Sequence, residues 1–337
     1  GVTNYFPSYE STIHSIPSPY CGSHSLKPKL PSSPMASIPT YSENTTDLSY
    51  WLNVNFFCCA AVVITFLVLA AILLYKFEGL GDRKPANLYQ CETWQTSLTT
   101  IPPQWLLGFR ILAFLALSSL LTFNLLLDGG GIMFYYTQWT FSLVTIYFAL
   151  GCFMSIHGLL TATLIDSEIC HYVAVDGEMD RELQYLKRAG FFGYTFQIVY
   201  QVCCGAVIIT DSVYWFLLFP FLESRNYTSD FINTCMHSVN ALFIFADTFL
   251  NCQRFPLFRF SYFIIWSSIY VVFQWIIHVC ISMWWPYPFM DISFPYAPLC
   301  YLGIGIYHIP CYGFFALVVK LKQFCLSKYF PESYQSF

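Results

Sequence analysis

A hydroxyl, a carboxylate and two imidazoles fall at one depth of a strongly apolar chain. Thr137, Asp211, His237 and His278 each sit about one to two helical turns from the same end of their segments, counting 3.6 residues per turn. Groups of these types suit proton-transfer chemistry. A neutral imidazole can take the proton of a hydroxyl as it attacks a carbonyl, and a carboxylate or second imidazole can orient the first. His308 lies about one turn deeper. His237 also belongs to a longer pattern: Asn233, His237, Asn240, Asp247 and Asn251 follow one another at steps of 4, 3, 7 and 4, one polar stripe down one helix face. A carboxylate near a bilayer centre costs about 2.5–3.5 kcal/mol on insertion scales, so the stripe must face protein or a watery cavity.

The elements that position these groups are membrane helices. Of 337 residues 56% are apolar, 20% aromatic and only 10% charged, which excludes an ordinary soluble domain. Seven stretches supply the roughly 20 apolar residues that cross a bilayer: Leu52–Tyr75, Trp105–Leu127, Ile132–Gly158, Phe191–Phe216, Phe231–Cys252, Phe260–Trp284 and Pro298–Val319. The expected fold is an all-α, polytopic helical bundle of seven transmembrane helices. Residues 1–48, rich in Pro, Ser, Thr and Tyr, read as a disordered tail outside the cytosol. Residues 49–104 hold the first span and a linker, 105–324 a six-helix core, and 325–337 a cytosolic tail. The loops Glu78–Pro103 and Thr161–Ala189 are the two sizeable cytosolic connections; the second, rich in Asp and Glu, reads as a solvated loop rather than an interfacial helix.

Basic residues set the orientation. Lys76, Arg83 and Lys84 follow the first span; Arg181, Lys187 and Arg188 the third; Arg254 and Arg259 the fifth; Lys320, Lys322 and Lys328 the seventh. The alternate loops hold only Arg225, apart from Lys27 and Lys29 in the tail. This asymmetry places the N-terminus outside and the C-terminus in the cytosol of an integral protein of the plasma membrane or an endomembrane. The glycosylation sequons at Asn44 and Asn226 fall on the outer side in that topology. The run Trp284-Trp285-Pro286-Tyr287-Pro288-Phe289 suits a headgroup-level anchor.

Arg110 and Asp247 share a second depth, about two turns from the cytosolic side, and are expected to form a buried ion pair. Most of the 14 cysteines lie within spans and act as small apolar residues. No metal-spaced Cys pair is present and no cofactor is expected. His237, His278, His308 and Asp211 remain an acceptable ligand set for zinc, the alternative being considered for a lipid amidase, although a His-x-x-x-His pair is lacking. Membrane lipids are the expected surroundings and source of substrate; nothing points to nucleic acid.

Several short runs resemble the androgen-induced gene 1 and androgen-dependent TFPI-regulating protein family. Gly130-Gly131-Ile132-Met133-Phe134-Tyr135-Tyr136-Thr137 looks like its Gly-Gly-x-x-Lys-Tyr-Leu-Thr stretch, with Phe134 in place of the Lys. Met236-His237-Ser238 followed by Arg254-Phe255-Pro256, and Trp275-Ile276-Ile277-His278 before the Trp284–Phe289 run, are similar to later family motifs. The nearer likeness is to its plant and insect rolling-stone-like branch, through Tyr135-Tyr136-Thr137-Gln138-Trp139-Thr140 and His308-Ile309-Pro310-Cys311-Tyr312-Gly313. The resemblance spans about Trp105 to Val319. It implies an intramembrane threonine-type hydrolase of fatty acid esters of hydroxy fatty acids, with Thr137 as nucleophile and His237 as base. Asp211, His278 and Asn240 would then orient the base or bind substrate, and Thr140 is the nucleophile under a shifted alignment. The competing reading is a non-enzymatic multipass protein of adhesion, fusion or signalling, in which each histidine only bonds between helices. Such bonds are worth about 0.6 kcal/mol on average. The third span ends Ser155-Ile156-His157-Gly158 without Asp-Arg-Tyr, against a G-protein-coupled receptor.

Overall fold

A computed structural model describes residues 44–78, 88–171, 188–218 and 227–335. They belong to the compact unit Ser42–Phe337. The expected tail lies outside the described residues apart from its last few positions, as do Asn226, Arg225, Arg83, Lys84, Arg181 and Lys187.

The chain forms eight α-helices among the described residues: α1 Leu48–Trp51, α2 Val54–Phe77, α3 Pro103–Asp128, α4 Tyr136–His171, α5 Phe191–Val213, α6 Tyr227–Leu250, α7 Phe260–Cys280 and α8 Ala297–Tyr329. A π-helical turn, Tyr214–Leu218, continues α5. Local chemistry sets several ends. The Asn53 side chain accepts from the Phe56 amide at 2.8 Å and caps α2. Pro103 opens α3, where its missing N–H has no intrahelical partner to lose. Pro310 lies inside α8, which runs on to Tyr329 nonetheless; neighbouring helices tolerate such a break in membrane proteins.

Six helical segments are long and apolar enough to cross a membrane: Val54–Phe77, Pro103–Asp128, Tyr136–Leu164, Phe191–Phe216, Leu257–Cys280 and Ala297–Tyr329. The protein is therefore an integral membrane protein with at least this apolar framework. Leu112, Leu126, Ile64, Leu164, Leu299 and Leu317 are exposed on these helices, as lipid-facing side chains should be. The fifth expected stretch, Phe231–Cys252, is helical as α6 but is not among the six. Its own polar stripe is the reason, since Asn233, His237, Asn240 and Asp247 interrupt the apolar run. It packs against α3, α4 and α5. Boundaries also move: the sixth expected stretch stops being helical at Cys280, which puts Trp284 and Trp285 in a loop, and the last helix continues past Val319.

Two findings concern the segments before the expected core. The first span, α2, packs on α7 and α8. The second half of the loop after it is buried. Leu88, Cys91, Glu92, Thr93, Gln95, Thr96 and Ser97 are buried at one end of the bundle. Trp94 rests on Gly158, where a Cβ would come 2.2 Å from the indole Cγ. The Ser97 amide donates to the Leu250 carbonyl at 2.8 Å, and the Thr99 amide to Ser333 at 2.8 Å. The Arg254 guanidinium grips the buried Glu92 carboxylate with two nitrogens. Composition hides this plug because its polar groups are satisfied by the bundle rather than by water.

Candidate active site

At the opposite end, a cavity of about 140 Å³ opens among α2, α4, α5, α7, α8 and the loop after α7. Its wall is mostly aliphatic and aromatic, but Thr137, Thr210, Ser267, Ser268, Tyr136, Tyr287 and His308 place polar atoms on it. Such a lining, apolar with a few convergent polar groups, is the usual form of a small-molecule site.

A directed chain of hydrogen bonds ends on this wall. His308 Nδ1 lies 2.7 Å from the Ile304 carbonyl, one turn back along α8. A carbonyl only accepts, so Nδ1 carries the proton and Nε2 presents a lone pair. Nε2 is 2.8 Å from Ser267 Oγ of α7, which donates to it. The Tyr136 hydroxyl of α4 lies 2.7 Å from the same Oγ and supplies the second donor. The Phe263 ring packs 4.6 Å from the imidazole, centroid to centroid. The result is a hydroxyl–imidazole pair whose base is oriented by a third group, the arrangement that activates a nucleophile.

Thr137 lines the same cavity. The Tyr287 phenol lies against both its side chain and its backbone, and burial pushes that phenol up to about 12. Tyr287 therefore stays protonated and able to donate at any physiological pH.

His237 does not line the cavity. Its Nδ1 is 3.3 Å from Asp211 Oδ1, and its ring stacks on Tyr214 at 3.8 Å. The Trp215 indole N–H donates to its backbone carbonyl at 3.2 Å. The Asp211 carboxylate holds this imidazole, while Thr137, the hydroxyl expected beside it, lines the cavity that His237 does not. His278 is also elsewhere: Nδ1 meets its own helix at the Gln274 carbonyl, 2.7 Å away, and the ring stacks on Trp285 at 3.7 Å. Thr140 is fully buried, off the cavity. Asn240 is buried with its Oδ1 on the neighbouring Ala241 amide, 2.7 Å away. The three imidazoles each face a different partner, so the zinc arrangement is not formed; among the described residues no group of three His, Cys, Asp or Glu is placed to hold a metal.

Arg110 and Asp247 do meet. Nε donates to Oδ1 at 2.9 Å, and both side chains are fully buried. The second carboxylate oxygen accepts from the Tyr147 hydroxyl and from Asn251 Nδ2. Arg110 Nη1 donates to Ser155 at 2.7 Å and to the Thr93 carbonyl at 2.9 Å. This network ties α3, α4, α6 and the buried loop together. Asn44 is exposed, its Oδ1 accepting from the Thr46 hydroxyl at 2.8 Å.

The pairing of Ser267 with His308 is not legible in the sequence. They are 41 positions apart on helices whose relative rotation the sequence does not state. The signal available was that Ser267, beside Ser268, and His308 each interrupt an apolar helix. Comparison with protein-family models, with curated proteins and with solved structures returned no match.

Proposed function

We propose that this protein is an intramembrane serine-type hydrolase of lipid esters, with Ser267 as nucleophile and His308 as general base. The observation that carries it is the 2.8 Å contact between Ser267 Oγ and His308 Nε2 on the wall of an apolar cavity. Ser267 Oγ attacks the ester carbonyl while its proton passes to Nε2. The carbonyl π pair moves onto oxygen, where the Thr137 and Tyr287 hydroxyls are the available donors. On collapse the bond to the alcohol breaks, and the leaving alkoxide takes the proton back from His308. Water, deprotonated by the same imidazole, then cleaves the acyl-serine and regenerates the hydroxyl.

The orienting group is a neutral carbonyl and not a carboxylate. It selects the correct tautomer but gives little stabilisation to the imidazolium, so turnover is expected to be slow. The likeness to the androgen-induced gene 1 family agrees in reaction class and in the presence of Thr137, while the base moves from His237 to His308. Fatty acid esters of hydroxy fatty acids are the substrates that the likeness implies.

The finer topology belongs to the same reading. α6 is taken as a seventh span whose stripe faces its neighbours, which accommodates Asp247 because Arg110 is there. Asn44 and the loop after α7 share one end of the bundle, joined by the Tyr50 hydroxyl on Asp291 at 2.6 Å. Arg254 and Arg259 lie at the other end with Glu92 and Glu78. The positive-inside rule makes the latter end cytosolic.

Labelling of the full chain in vesicles by a fluorophosphonate probe tests the assignment. Ser267→Ala and His308→Ala are expected to abolish labelling. Loss in Thr137→Ala and His237→Ala with Ser267→Ala unaffected would restore the threonine nucleophile. A wild-type protein that neither labels nor turns over any ester would leave the non-enzymatic role in adhesion, fusion or signalling.

A further inference from the structure

We infer that Phe66 is a side gate through which an acyl chain passes between α2 and α8, and that its ring sets which chain lengths the cavity accepts. The catalytic consequence rests on the hydrolase reading above; entry of the chain does not.

Size is the first argument. A cavity of roughly 150 Å³ lined by aliphatic and aromatic side chains holds a molecule such as benzene. At about 140 Å³ the cavity has room for a group of similar size. A longer chain with its carbonyl at Ser267 must extend beyond it.

The walls differ in how they are held. The loop over the outer end is pinned by hydrogen bonds: the Tyr301 hydroxyl donates to the Met290 carbonyl at 3.0 Å, and Asn55 Nδ2 reaches the Ile292 and Phe294 carbonyls at 3.2 Å each. The side toward α4 is closed by Tyr136, bonded to Ser267, and by Tyr270, whose hydroxyl donates to the Phe134 carbonyl at 2.8 Å. The α2 side has no such fastening in the contacts of Phe66, an apolar ring that can only pack.

Phe66 lines the cavity, is half-buried, and packs on Gly305 of α8, a helix whose Leu302 and Ile306 are exposed nearby in sequence. It therefore stands between the cavity and the lipid-facing surface. Its ring occupies the space that a side chain would take at Gly305, where a Cβ would lie 2.3 Å from Phe66 Cε2 and 2.7 Å from Cζ. Only glycine allows the ring to seat there. Gly305 is three positions before His308 on α8, about one helical turn, so a chain passing the ring arrives within a turn of the base. In lipid the ring can turn outward cheaply, because acyl tails are as apolar as the seat it leaves.

The experiment uses the full chain in phosphatidylcholine vesicles and p-nitrophenyl butyrate, octanoate, laurate and palmitate. Phe66→Ala is expected to raise the palmitate-to-butyrate ratio of kcat/KM by about tenfold, and the milder Phe66→Leu by less. Leu69→Ala, on the same helix but off the cavity, is expected to leave the ratio unchanged. Hydrolysis with one chain-length profile across all four proteins would overturn the gate and leave the hydrolase standing. A second arm needs no turnover: a diazirine-tagged palmitate ester is cross-linked to Ser267→Ala protein. Labelling of α2 and α8 peptides that rises when Phe66→Ala is added supports side entry even if no ester is cleaved. Labelling no different from that of the added Leu69→Ala change overturns it.

Discussion

Ser267 Oγ lies 2.8 Å from His308 Nε2, and the other nitrogen of that imidazole is held at 2.7 Å by the Ile304 carbonyl of its own helix. The second contact decides the meaning of the first. With Nδ1 protonated, Nε2 can only accept, so the serine hydroxyl must point its proton at the base. Tyr136 then bonds to the serine oxygen from the far side.

Tyr136→Phe removes that donor without touching the pair. A single hydrogen bond of this kind corresponds to about tenfold in kcat, far less than the loss expected for Ser267→Ala. Steady-state hydrolysis of a soluble ester by the two variants checks the order.

His237→Ala is expected to leave ester turnover near wild type while lowering thermal stability. The imidazole orients toward Asp211 and Tyr214 and does not line the cavity. Removing it leaves the half-buried Asp211 carboxylate without its imidazole partner. Turnover that collapses while the melting temperature holds would contradict this.

Asp247→Ala leaves Arg110 charged, buried and short of its anion, a change expected to cost about 3–5 kcal/mol. Replacing both members, Arg110→Met with Asp247→Leu, is expected to recover most of the loss, because no uncompensated charge remains. Thermal unfolding in one detergent, with wild type and the two variants compared, checks the recovery.

Cys91 and Cys252 lie against the buried loop, outside the spanning segments. Burial pushes both thiols up to about 12. Only about one in ten thousand molecules carries either thiolate at pH 8, so iodoacetamide is expected to spare both until the chain is denatured. The sign for stability follows from a raised folded value: the contribution is whole below the ordinary thiol range near 9 and is lost as pH rises toward 12. Rapid alkylation of native Cys91 at pH 8 would show that the loop is not buried.

Gly158→Val is expected to eject Trp94 and expose the segment 88–101 to protease, since even a Cβ at that position overlaps the indole. Limited proteolysis of vesicles, with cleavage mapped on the chain, reads this directly. The consequence for the cavity at the other end is expected to be small, which makes the variant a control for global unfolding.

Much of the fold was legible because a bilayer imposes simple rules. Twenty apolar residues in a row have few alternatives to a spanning helix, and six segments of that kind stand where composition puts them. Arg110 and Asp247 could be paired from depth alone, because a buried charge needs an opposite one at its own level. The segment of α6 counts among the apolar stretches, yet it is less apolar than the other six because of the polar stripe that made it worth noticing. The buried loop after α2 was not legible, because polar residues that bond to a bundle end look the same in sequence as polar residues that bond to water.

The sequence by itself determined that this is a helical membrane protein and at what depth each polar group lies, since rise per residue along a helix is constant. Rotation about each helix axis and the choice of neighbours are not local properties. They come from how large and small side chains interlock, as Phe66 does on Gly305. That is why depth alone grouped Thr137 with His237, and only the tertiary structure turned His308 toward Ser267 and placed both on one cavity.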